Sequence, residues 1–125
     1  MLGRAELTSL LPSGGGMLFF GPDWRPFSIS MFHQLRCVDI VGKELFERQS
    51  LVVRPEPTVL ARHCMNYLRQ MILCRANTRL ESAFSDTGPR IVMSAVTHTC
   101  KDWTAVYAAA EENYKVYKGH VFGTG

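Results

Sequence analysis

From Ser30 onward, apolar residues recur at Phe32, Leu35, Val38, Val41 and Leu45, the spacing of one buried stripe on a helix, and Ser30 is of the type that caps such a helix. The pattern predicts a helix from about Met31 to Arg48. Pro55 and Pro57 then break the chain, and Thr58 can cap a second helix whose stripe runs Leu60, Cys64, Tyr67, Met71, Cys74. Ala76 to Arg90 has a turn composition, and Ile91 to Val96 predicts a short strand. Thr99 and Asp102 have the spacing of a capping box, and Trp103, Val106, Ala110, Tyr114 and Tyr117 keep helical register behind it. A third helix is expected from about Cys100 to Lys118, with Gly119 as its stop.

Residues 1–30 carry turn signals (Pro12, the run Ser13 to Gly16, Gly21-Pro22, Pro26) around a short apolar piece, Met17 to Phe20, and an alternating one, Phe27 to Met31. They read as loops with one small hairpin. The glycine run is not a phosphate loop, because no Lys-Ser or Lys-Thr follows it. The expected fold is therefore mainly α: one domain over residues 1–125, with an irregular or hairpin segment at 1–30 and a core of three helices at 31–118.

Composition narrows the function more than the fold. The 125 residues are 46% hydrophobic and 20% charged, ordinary values for one globular domain that needs no metal or disulfide as a staple. The net charge of +3 comes from interleaved residues without a long basic run, which argues against nucleic acid as a partner. Met17 to Phe20 is far short of the roughly 18 apolar residues of a membrane span, so neither signal peptide nor anchor is expected and the cytosol is the default compartment. Cys37, Cys64, Cys74 and Cys100 permit two disulfides, but none sits in a Cys-x-x-Cys pair of the zinc-finger or thioredoxin kind.

Chemistry-bearing residues gather at helix starts. His33 and Cys37 are four apart in the first helix and share a face, His63 and Cys64 lie near the start of the second, and His98 precedes Cys100 before the third. Taken singly, each cysteine reads as a small core residue and each histidine as a surface or capping group. The threefold pairing brings a functional site level with that structural reading. Arg36, Arg62, Arg69, Arg75 and Arg79 cluster in sequence near these pairs; they form a solvated helix face unless Arg36 or Arg69 points into a cleft, where its planar fork suits an oxyanion. His120 falls in the expected tail and has no assigned role. Tyr67, Trp103, Tyr107, Tyr114 and Tyr117 lie on or next to the apolar stripes and read as core, while Phe19, Phe20, Trp24 and Phe27 could wall a pocket or cover a subunit surface.

The segments Phe32-His33-Gln34-Leu35-Arg36-Cys37, Arg62-His63-Cys64-Met65-Asn66-Tyr67-Leu68-Arg69-Gln70 and His98-Thr99-Cys100-Lys101-Asp102-Trp103 resemble, in the same order, the UstYa-like proteins of fungal secondary metabolism. The resemblance implies a tailoring role in natural-product biosynthesis, such as oxidative cyclisation, halogenation or ring closure without net oxidation. It also implies copper, thought to be bound by two His-x-x-His-Cys motifs, for which borderline-soft imidazoles are suited. This chain departs from both motifs: Arg36 stands at the second histidine position of the first, and Leu60 at the first histidine position of the second. Arg36 would oppose a metal cation and Leu60 offers no donor, so His98 would have to supply a third ligand beside His33 and His63.

The favoured reading is a ring-forming enzyme in which His33 and His63 move protons and Arg36 or Arg69 steadies negative charge. It needs no firm cofactor. A copper-dependent oxidative cyclase using His33, His63 and His98 is the second reading, and a non-catalytic partner of a pathway enzyme the third. The expected partner is a small-molecule secondary metabolite. A homodimer is expected because three helices of at most about 19 residues leave little room for a pocket of several hundred Å³. Cys64 and Cys74 are about 15 Å apart along one helix and cannot bond each other. In an oxidising lumen, the expected pairs are Cys74 with Cys100 and Cys37 with Cys64.

Overall fold

A computed structural model of the protein describes residues 10–49, 56–81, 83–84, 88, 91–92 and 97–123. In chain order, a glycine turn (Ser13–Gly16) leads into a hairpin of β1 (Met17–Phe20) and β2 (Arg25–Ser28). Two helices follow, α1 (Ser30–Gln49) and α2 (Val59–Arg75), then the two-residue strands β3 (Ala83–Phe84) and β4 (Ile91–Val92), and last α3 (Trp103–Val121). The mainly helical architecture agrees with the apolar periodicity. Among the described residues no helix is long and apolar enough to cross a membrane.

The hairpin pairs Met17 with Ser28, Leu18 with Phe27, Phe19 with Pro26 and Phe20 with Arg25. Its second strand thus starts two residues earlier than the alternation at Phe27 to Met31 indicates. Pro26 is tolerated because of what lies opposite: the N–H and C=O of Phe19 both turn away from β2, to the side-chain amide of Asn113 on α3. Phe19 and Pro26 are therefore a non-hydrogen-bonded pair, and the missing proline N–H costs no ladder bond.

The start of α1 is set by Ile29, whose carbonyl accepts from the N–H groups of Phe32 (3.0 Å) and His33 (3.1 Å). Ser30 is already helical, so it is not the cap. Only part of the expected α1 stripe is buried. Phe32 is fully buried, with Leu18 and Ala110, and Leu35 packs against that cluster, whereas Val38 and Leu45 are exposed. In their stead Cys37 and, two turns further on, Glu44 turn inward on the face that meets α2.

Thr58 caps α2 as its residue type indicates, Oγ1 accepting from the Ala61 N–H at 3.1 Å. Glu44 locks that cap onto α1: its carboxylate accepts from the Thr58 N–H and hydroxyl, both at 3.2 Å, and pairs with Arg48 at 3.4 Å. The helix ends at Ala76, in the left-handed region with φ 45°, its N–H bonded to the Ile72 carbonyl. Cys64 is buried on this helix, while Leu60 and Cys74 of the expected stripe are exposed.

Asp102 caps α3 by itself, accepting from the N–H groups of Thr104 and Ala105 and from the Thr104 hydroxyl. The helix begins at Trp103 rather than Cys100, so Thr99 lies outside it, and it runs through Gly119 to Val121. Nothing at Gly119 forces a stop, since its φ is not left-handed. β4 begins where the expected strand does; residues 93–96 of that expectation lie outside the described residues. Its partner β3 falls in the stretch whose composition signals only turns.

Candidate functional site

The disulfide between Cys37 and Cys64 joins α1 to α2 with Cα atoms 4.9 Å apart, both residues fully buried. Histidines stand beside both half-cystines, His33 one turn before Cys37 and His63 immediately before Cys64. The covalent link therefore fixes the two histidines relative to each other. Their rings lie 6.2 Å apart, centroid to centroid, inclined by 26°. Tyr67, one turn beyond His63, stacks on His33 at 4.0 Å and 24°. His33 and Tyr67 are half-buried and His63 is exposed, so one imidazole is held against a phenol ring while the other faces solvent. Tyr67 is a site residue that the sequence presents only as core. Its four-residue spacing from His63 was the available signal.

On the other side of His33, the glycine turn approaches α1 closely. Gly15 and Gly16 have φ of 70° and 82°, and a Cβ on Gly16 would lie 2.6 Å from the Phe32 Cβ. A Cβ on Gly15 would collide with the Arg36 guanidinium. Only glycine allows both the backbone shape and the approach. The result is a cleft of about 230 Å³ lined by Gly15, Met17, Ser28, Phe32, His33 and Arg36. A larger open depression of about 720 Å³ runs along α3, past Ser13, Glu111, Tyr114 and Lys118, and contains no histidine.

Arg69 is not part of this arrangement. It donates to Asn66 Oδ1 at 2.7 Å and borders an apolar groove with Val41, Met65, Leu68, Ile72 and Leu73, apart from the His33 cleft. His98 is exposed, in the segment before α3, and among the described residues no three His, Cys, Asp or Glu side chains are grouped to hold a metal. His33, His63 and His98 thus do not converge, because α3 packs on the glycine turn and β1 while α2 packs along α1. The same arrangement leaves Cys74, in the last turn of α2, and Cys100, before α3, as exposed free thiols, so the expected Cys74–Cys100 bridge is not formed. His120 is not in a frayed tail: it lies in α3 and stacks on Trp24 at 4.8 Å. Phe19 stacks on Tyr117 at 3.6 Å and Trp24 leans on the same ring, so these two aromatic residues dock the hairpin on α3. Phe20 and Phe27 contact each other and stay exposed. Trp103, expected in the core, is also exposed.

Fold and site together define a small helical domain in which a disulfide holds two histidines beside an arginine-lined cleft. The family model described as "Mycotoxin biosynthesis protein UstYa" matches residues 17–113, from the first residue of β1 to Asn113. The chain belongs to the UstYa family. It is 33% identical over 91 residues to a UstYa family oxidase, phomYb, of Diaporthe leptostromiformis, an alignment covering 68% of this chain and 34% of that protein. It is 34% identical over 88 residues to the oxidase ustYa of Aspergillus flavus, covering 68% and 40%. The chain thus spans between about a third and two fifths of the length of these relatives. No solved structure matches it.

The residues present do not fit the copper that the resemblance implies. His33 and His63 offer two imidazole donors, whereas the thiols of Cys37 and Cys64 are bonded to each other. Leu60 is exposed without a donor atom, and the guanidinium of Arg36 lines the same cleft as His33, where it disfavours a cation.

Proposed function

We propose that the protein is a ring-forming tailoring enzyme of fungal natural-product biosynthesis, working by redox-neutral proton transfer between His33 and His63. The reading is carried by one observation: two imidazoles 6.2 Å apart, held by a disulfide, with one open to solvent. Each can approach, at hydrogen-bond distance, a different atom of one substrate lying across them. Membership of a family whose model is described as a mycotoxin biosynthesis protein, and the relatives' description as oxidases, support the pathway context.

In this mechanism neutral His33 takes the proton of a nucleophilic O–H, N–H or enolisable C–H group. The freed electron pair closes on an electrophilic carbon of the same molecule. His63, protonated, returns a proton to the atom that gains the displaced pair. Atoms and electrons balance, and the product has the mass of the precursor. Between turnovers exposed His63 takes a proton from water and half-buried His33 releases its proton to water through the cleft, which restores both rings. An arginine steadies negative charge, and Arg36 is the one placed beside His33.

The relatives' description as oxidases supports a second reading, oxidative ring closure at the same two histidines. One experiment tests both. A producer strain lacking the gene is complemented with wild type, His33→Ala, His63→Ala and the double variant, and the accumulating metabolites are weighed by mass spectrometry. Each single variant should slow ring closure by about 10² to 10⁴, and the double variant should lose much less than the product of the two. A product lighter than its precursor by two hydrogens would favour the oxidative reading. Folded single variants that close the ring at the wild-type rate would overturn the assignment of the histidines.

A further inference from the structure

We propose that the cleft between the glycine turn and the start of α1 is a carboxylate-binding subsite, anchored by Arg36, and that the enzyme's substrate is accordingly a carboxylic acid. The proposal deepens the ring-closing reading by naming a substrate class, and it rests on that reading for the identity of the site's occupant.

Three observations carry it. The first is the state of Arg36. Arg48 is engaged with Glu44, Arg69 with Asn66 and Arg79 with the Thr97 carbonyl, whereas among the described residues Arg36, Arg62 and Arg75 make no such bond, and of these Arg36 lines the His33 cleft. Among the described residues the Arg36 guanidinium has no hydrogen-bond or ion-pair partner. Arg36 is exposed, and its guanidinium lies over Gly15 at the edge of the cleft.

The second observation is the lining. Gly15, Met17, Ser28, Phe32, His33 and Arg36 include no carboxylate, so nothing in the cleft neutralises the guanidinium. The Ser28 hydroxyl, which donates to the Ile29 carbonyl at 3.4 Å, adds a polar group at its edge, and Met17 and Phe32 supply apolar surface beside it. A planar fork beside apolar walls matches a carboxylate attached to a flat carbon group, because two parallel N–H groups on one edge of the guanidinium can donate to both carboxylate oxygens at once.

The third is size and position. About 230 Å³ is less than the several hundred Å³ that a drug-sized molecule fills, so the cleft takes an end group and not a whole substrate. His33 belongs both to this cleft and to the histidine pair. A substrate anchored by its carboxylate at Arg36 therefore extends past His33 toward His63, which puts its reactive part where the proton carriers stand.

The test uses the purified chain with benzoate as probe and benzamide as its neutral counterpart, followed by amide chemical shifts in NMR. Benzoate should bind saturably, moving the signals of Gly15, His33 and Arg36, and benzamide should bind at least about tenfold more weakly. Arg36→Gln should weaken benzoate by a similar factor, while Arg69→Gln, which removes the same charge elsewhere, should leave it unchanged. Equal binding of benzoate and benzamide would overturn the proposal. So would folded Arg36→Gln that binds benzoate like wild type, or benzoate shifts spread over Arg69 and other surface arginines. The two readings fail separately. If His33→Ala and His63→Ala block ring closure but Arg36→Gln binds benzoate normally, the carboxylate subsite is wrong and the histidine assignment stands. If benzoate behaves as expected but both histidine variants close the ring, the subsite stands and the ring-closing mechanism falls.

Discussion

Asn113 on α3 accepts from the Phe19 N–H at 2.8 Å and donates to the Phe19 carbonyl at 3.0 Å, closing the outer edge of the hairpin as a third strand would. Its side chain is one polar link between α3 and the segment that walls the cleft, and Glu111, which accepts from the Ser13 N–H, is another. Replacing it by Leu, of similar size, leaves two half-buried backbone groups without partners. We expect a loss of about 2 kcal/mol, from the cost of unsatisfied buried groups. Thermal denaturation checks the magnitude. Hydrogen exchange at the Phe19 amide checks the cause, because a general packing defect would not single it out.

The Cys37–Cys64 bridge closes a loop of sequence separation 27. Chain-entropy reasoning gives about 3.5 kcal/mol of stabilisation for a loop of that length. A Cys37→Ala, Cys64→Ala double variant should therefore unfold at clearly lower denaturant concentration. It should also lose ring closure more steeply than stability where it remains folded, because the histidines lose their common tether. In unreduced protein, Cys74 and Cys100 should be alkylated readily and Cys37 and Cys64 not at all. Alkylation of all four would remove the tether from the account of the site.

Two surface carboxylates should shape the acid limb of stability. Hydrogen bonds from Ser13, backbone first and then side chain, hold Glu111 below its ordinary value of 4.5. The Thr104 hydroxyl, then the Ala105 N–H, holds Asp102 below 3.8. For a group whose folded value is depressed, the stabilisation is full above its unfolded value and disappears as pH falls through the folded one. The loss is thus confined to the range below about pH 4.5. Glu111→Gln and Asp102→Asn should lower the melting temperature at neutral pH and flatten its decline in acid, read by melts taken from neutral pH to about pH 3. A wild-type acid limb unchanged in both variants would contradict this.

Helix types and approximate limits were legible in the sequence because α1, α2 and α3 carry periodic apolar residues and α2 begins at the cap its residue type indicates, Thr58; the cap of α3 is Asp102, which the sequence presents only as the partner of Thr99 in a capping box. The faces were less legible. Val38 and Leu45 have the hydrophobicity of core residues but lie exposed, since the Cys37–Cys64 link rotates α1 so that Cys37 and Glu44 face α2. Periodicity cannot report such a choice, because a covalent cross-link and a buried glutamate both outweigh a methyl-rich stripe. The recurrence of a His followed by a Cys near each helix start pointed to His33 and His63, which the structure brings together, and equally to His98, which it does not. The roles of Tyr67, Gly15 and Ser28 were not, because each depends on a segment remote in sequence coming to lie against α1.

Metal content offers the sharpest separation from the relatives' described activity. A tight copper site made of imidazoles needs several of them around one point, and each helix here contributes one. The thiols nearest to them are consumed by their mutual bond, and Arg36 lines the cleft beside His33 as a permanent cation. Purified protein should therefore hold well under one copper per chain, and a chelator should leave ring closure unchanged. The absence of donors can also be tested by supplying them. Arg36→His puts an imidazole three residues after His33, and Leu60→His puts one three residues before His63, and residues so spaced share a helix face. With both substitutions, four imidazoles line the junction of α1 and α2, and the cation that opposed a metal is gone. The double variant should take up stoichiometric copper, seen as a ligand-field absorption and as a melting temperature that rises with added copper, while wild type shows neither. Stoichiometric copper in the wild-type chain, with ring closure lost on its removal, would reverse the order of the two readings.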